Sequence, residues 1–134
     1  MKKYFALVII AVAALAQTAT AQTSTKKGWQ EMKNFHHFMS GTFHPAEDND
    51  FAPLRAKADS LYLSAVAWQL SPIPADFKEK ETKETLITLV SQTKAIAEAV
   101  KNKVDDKELF KMINEAHDTF HKIVGECRKD DDHK

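Results

Sequence analysis

The stretch AHDTFHKIVGEC, residues 116–127, holds the densest chemistry in the chain. His117 and His121 are four residues apart, Asp118 lies between them, and Cys127, the only cysteine, follows. On a helix this spacing puts both imidazoles on one side, where they can share a metal ion. His36, His37 and His44 form a second group near the beginning of the chain, and His133 lies in the tail. Imidazole and thiolate donors suit Zn²⁺ or copper. The candidate metal ligands are therefore His36, His44, His117, His121 and Cys127. Met39 and Glu47 are supporting donors, and Asp118 could orient a ring from behind.

Several sharper chemistries fail on the same residues. His117-Asp118-x-x-His121 resembles the zinc-protease helix, but the aspartate is one methylene shorter than the glutamate that activates water there. Carboxylate-bridged di-iron bundles need Glu-x-x-His on two helices, and this sequence has none. No Cys-x-x-Cys-His is present for covalent haem attachment. Serine-nucleophile motifs and phosphate-binding glycine loops are also missing, so the reading is of a protein that is not an enzyme.

Compartment affects what a thiol or an imidazole does. Residues 1–21 read as a secretory signal peptide: Lys2 and Lys3, an apolar run from Tyr4 to Ala16, then Ala19-Thr20-Ala21. The run is too short to span a bilayer, so the expectation is a periplasmic or secreted protein starting at Gln22. Losing Lys2 and Lys3 takes the basic side chains from 19 to 17 against 19 acidic, and the formal charge from zero to −2. That balance offers nucleic acid no basic face. A single cysteine in an oxidising compartment is buried, liganded, reactive, or paired with a second copy in a homodimer.

The elements that must position these residues follow from helical spacing. Only three glycines and four prolines occur in 134 residues. Apolar positions recur as Trp29, Met32, Phe35, His36, Met39, Phe43; as Leu54, Ala58, Leu61, Ala65, Trp68; as Leu86, Leu89, Thr93, Ile96, Val100; and as Leu109, Ile113, Ala116, Phe120, Ile123. The first segment is expected to stop at HPAEDND with Asp50 as the next cap, and Pro53 to sit in the first turn of the second. Asp105 should cap the fourth, and Gly125 should end it. The expected fold is all-α, an antiparallel up-down four-helix bundle over 29–127, preceded by a flexible segment 22–28 and followed by a disordered tail 128–134. On this periodicity His36 points inward and His37 toward the flank. In an antiparallel bundle His36 can meet His117 and His121, whereas His44 and Cys127 fall at different levels.

This layout resembles the soluble b-type four-helix cytochromes and the cytochrome c-prime proteins. It is also similar to a group of secreted bacterial proteins of uncharacterised function. The residues carrying that likeness are Phe35-His36-x-x-Met39, Thr42-Phe43-His44-Pro45, Pro53-Leu54-Arg55, and His117-Asp118-x-Phe120-His121-x-Ile123 with Cys127 after it. The resemblance implies a cytochrome c-prime-like bundle without a particular activity. Three functions follow as expectations. The first is a metal-binding protein for Zn or Cu. The second is an electron carrier with non-covalent haem b between Met32 or Met39 and His117 or His121. The third is a non-catalytic stress or interaction bundle.

Overall fold

A computed structural model describes residues 28–129. The expected signal peptide, most of the segment 22–28, residues 130–134 of the tail and His133 lie outside the described residues. Four helices make up the fold: α1 (Gln30–Glu47), α2 (Ala52–Leu70), α3 (Glu79–Lys101) and α4 (Asp106–Gly125). They pack as an antiparallel four-helix bundle in which α1–α2, α2–α3 and α3–α4 are close neighbours and α4 closes more loosely on α1. No helix among the described residues is long and apolar enough to cross a membrane.

The stripes of α2 and α4 are those expected, and every member is buried: Leu54, Ala58, Leu61, Ala65, Trp68 and Leu109, Ile113, Ala116, Phe120, Ile123. On α3 the buried face includes Thr82, Thr85, Ala97 and Ala99, while Val100 is only partly covered. Buried threonine hydroxyls donate to carbonyls one turn back. Thr42 bonds Phe38 at 2.8 Å, Thr85 bonds Glu81 at 2.7 Å and Thr93 bonds Leu89 at 2.9 Å. Such back-bonding lets a β-branched polar residue fill a core position without an orphaned hydroxyl.

Helix α1 departs from expectation in two ways. It runs through Pro45 to Glu47 instead of stopping at the proline. Pro45 stands in the last turn, where its missing N–H forfeits one bond to an exposed Gly41 carbonyl, and its own carbonyl anchors the termination. Asp50 N donates to Pro45 O at 2.8 Å and Asn49 N to Ala46 O at 3.1 Å, with Asn49 at φ 62°. This is a Schellman ending with asparagine in the glycine position. Helix α3 ends likewise: Val104 N bonds Ala99 O at 3.0 Å and Lys103, at φ 54°, bonds Val100 O at 3.1 Å. Phe51 occupies the N-cap position of α2, with Asp50 accepting from Ala52 N at 3.1 Å from one residue earlier. Pro53 is in the first turn as expected.

The second departure concerns which face is buried. Phe35, Met39, Thr42, Phe43 and Ala46 form the inner face of α1, and His36 is exposed. The run 35, 39, 42, 46 keeps steps of four and three throughout, and the largest apolar side chains define its centre, so the adjacent His36 is rotated to the rim.

Trp29, the residue before α1, is buried against Trp68 and Phe77 with ring centroids 5.5 and 5.2 Å away, and its Nε1 donates to Ser71 Oγ at 2.7 Å. At this end the chain's last described residues are fixed. Phe77 and Arg128 form an antiparallel bridge, Lys78 N donates to Cys127 O at 2.7 Å, and Lys129 N donates to Asp76 O at 2.8 Å. Arg128 and Lys129, expected to begin a free tail, are therefore held to the α2–α3 connection, and the Arg128 guanidinium lies 5.3 Å over the Phe77 ring.

Candidate metal centre at the α1–α4 seam

Helix α4 carries the pair. Asp105 caps it, accepting from Glu108 N at 2.9 Å, and Asp106 and Glu108 in the first turn complement the helix dipole. From that start, Ala116 and Phe120 fall on the core face and His117 and His121 beside them on the edge facing α1. Their Nε2 atoms stand 3.1 Å apart. His117 is half-buried and His121 exposed.

What buries His117 is α1. The Phe43 ring lies parallel to it, with centroids 3.8 Å apart and planes at 11°. Farther along the seam the His36 ring stacks on Phe120 at 5.3 Å and 6°. His36 thus covers the seam from outside and does not enter the bundle. His37 is exposed and edge-on to Phe38.

His44, also exposed, follows Phe43. Its Nδ1 lies 2.9 Å from Glu47 Oε2. That places on Glu47 the ring-holding role expected of Asp118, whose carboxylate makes no hydrogen bond to either helix α4 imidazole among the described residues. Asp118 acts on His117 through charge alone. The proton affinity of His117 is lowered, first by burial and next by the nearby His121. Asp118 and Glu47 oppose this, and His44 adds to it.

Cys127 does not join the histidines. It is 2% exposed just beyond the C-terminal end of α4, turned toward α3 with its Sγ 3.8 Å from Thr85 Oγ1, where it behaves as a small buried residue. The five expected ligands therefore do not make one site. Among the described residues no three His, Cys, Asp or Glu side chains stand together as a ready-made metal group. The structure joins His117 with His121, and His44, held by Glu47, follows the Phe43 that lies on His117. Phe43 was not among the candidates; its place on the buried face of α1, level with the His117 turn of α4, was the available signal.

Haem b would need a slot between a methionine of α1 and a histidine of α4. Phe35, Trp68 and Phe120 fill that region, with centroids 5.4, 5.7 and 6.0 Å apart. Met39 is 1% exposed in the core and Met32 packs partly buried at its edge, while the two Nε2 atoms of the histidine pair face each other. These residues do not fit a haem in this packing. No protein-family model, curated protein or solved structure matches the chain.

Proposed function

We propose that this is a non-enzymatic, extracytoplasmic protein that binds a transition metal ion, Zn²⁺ or copper, through His117 and His121. One observation carries the reading: the 3.1 Å between the two Nε2 atoms. With metal–nitrogen bonds of about 2.05 Å, that separation corresponds to an N–metal–N angle of about 98°, between the octahedral and tetrahedral values. Two imidazoles can then take up an ion with little rearrangement. Without metal, the same pair shares a hydrogen bond between one Nε2–H and the other Nε2 lone pair. The extracytoplasmic part rests on Lys2, Lys3, the apolar run after them and Ala19-Thr20-Ala21.

Isothermal titration calorimetry with Zn²⁺ and Cu²⁺ tests the metal reading. Replacing both histidines with alanine should weaken binding by about two orders of magnitude or more, because only water remains to replace the lost donors. Equal affinity in the double variant overturns it. Export is tested by mass spectrometry of secreted material, which should begin at Gln22.

A second reading, an interaction bundle, has one observation in its favour. Between α1 and α2 a groove of about 370 Å³ presents Phe38, Leu63 and Ala67, with Leu63 63% exposed, among the polar residues Glu31, Asn34, His37, Ser60 and Ser64. A Leu63→Lys variant that loses a binding partner without losing metal would support it.

A further inference from the structure

The seam between α1 and α4 is unlike the other three. Consecutive helices pack closely throughout, whereas α4 meets α1 loosely and through stacked rings. At this seam the histidine pair of α4 faces the α1 turn that carries a third imidazole with a carboxylate already behind it.

We propose that the seam is a metal-operated clasp, in which one Zn²⁺ or Cu²⁺ ion takes His117 and His121 from α4 and His44 from α1, with Glu47 holding the His44 ring. This rests on the metal-binding reading above and adds a third ligand, a positioning carboxylate and a mechanical consequence.

Three features support it. First, Glu47 Oε2 lies 2.9 Å from His44 Nδ1. A carboxylate at that nitrogen fixes the Nδ1–H tautomer and leaves the Nε2 lone pair for an ion. Second, the Phe43 ring lies against His117, which sets the last turns of α1 at the level of the pair. His44 is the next residue, its ring centroid 5.6 Å from that of Phe43, and Glu47 lies one turn further on. Third, His44 is exposed, so its ring can swing to the ion by changing rotamer without disturbing the core. Three protein ligands would leave a fourth position for water or an exchangeable donor, as in open zinc sites. The pair alone ties α4 only to itself. Adding His44 ties α4 to α1 across the loosest contact in the bundle.

Hydrogen exchange read by mass spectrometry, paired with calorimetry, tests this on the chain beginning at Gln22, with zinc sulfate or copper sulfate as the probe. Metal should slow amide exchange in α4 around 117–121 and also in α1 around 43–47. His44→Ala should lower affinity at least about tenfold and abolish the slowing in α1 while retaining it in α4. Glu47→Gln should lower affinity about tenfold, at the lower end of effects seen for carboxylates that orient a ligating histidine. Both side chains are exposed, and far-ultraviolet circular dichroism confirms that the variants keep their helices. If the wild type binds metal through the pair but His44→Ala binds equally well and α1 gains no protection, the clasp is wrong and the metal reading stands. If the wild type binds neither metal, both fall.

Discussion

The rings of Phe43 on α1 and His117 on α4 lie parallel, with centroids 3.8 Å apart. The contact removes water from one side of the imidazole and limits its rotation, so a core residue of one helix sets the orientation of a candidate ligand on another. Replacing Phe43 with leucine keeps an apolar side chain in the core but removes the flat surface. The expected result is a stability loss of about 1–2 kcal/mol, from reduced area and the lost ring pair, and a several-fold weaker metal affinity, read by thermal melts and calorimetry. An affinity that does not change would mean that His117 is oriented by something else.

In metal-free protein the lowered proton affinity of His117 makes stability depend on pH. Folding favours the neutral ring, so the unfolded chain takes up a proton first as pH falls. This contribution is therefore fully present above the ordinary histidine range, near pH 6.5, and is lost as pH drops from there through the lower folded value. Urea midpoints for wild type and His117→Gln in the presence of a chelator, compared between pH 7.5 and 5, should show a steeper fall for the wild type. Parallel curves would rule it out.

His36→Ala is expected to change little. Its ring is exposed and contributes a stack on Phe120, which sets the loss at no more than about 1 kcal/mol, and it should leave metal affinity within about twofold. Helical periodicity alone points this residue inward, toward the α4 pair, so a large effect on binding would revive that expectation against the geometry.

Cys127 should resist thiol reagents in the folded protein and react quickly in denaturant, since its side chain is almost wholly covered. Metal affinity should be the same in Cys127→Ala, because the thiol is buried against Thr85 of α3 and not at the α1–α4 seam. Fast labelling of native protein would refute its burial.

Lys103 occupies the left-handed position that ends α3, at φ 54°. A side chain there is disfavoured by about 1 kcal/mol relative to glycine. Lys103→Gly should accordingly raise the thermal midpoint by a few degrees, a gain that Asp105→Ala, which removes the cap on Glu108 N, should reverse by about 1 kcal/mol.

The bundle was legible because burial follows spacing: on α2 and α4 the residues at steps of three and four are the buried ones without exception. Legibility failed where two patterns competed. On α1, Met32-His36-Met39-Phe43 and Phe35-Met39-Thr42-Ala46 both have helical spacing, and only packing against the neighbouring helices selects the second. Pro45 marks a helix boundary by residue type, yet a proline in a last turn forfeits a single bond, and the Schellman ending lay hidden because asparagine and lysine stand where glycine is usual. For the site, the His117–His121 pair follows from a local spacing of four. Its partners on α1 depend on the vertical offset of two helices far apart in the chain, and no periodicity within either helix encodes that offset.

The bridge between Phe77 and Arg128, with Lys129 N bonded to Asp76 O, also bears on how the protein ages among proteases. An exopeptidase needs an extended stretch of backbone free to enter its cleft. Working inward along the chain, it would find at Lys129 a main chain already bonded to another segment, with Cys127 sealed in the core just behind. To go further it must first strip the pairing and then pull a buried side chain into water. Trimming should therefore halt near residue 129 and leave the four helices, and the histidine seam, intact.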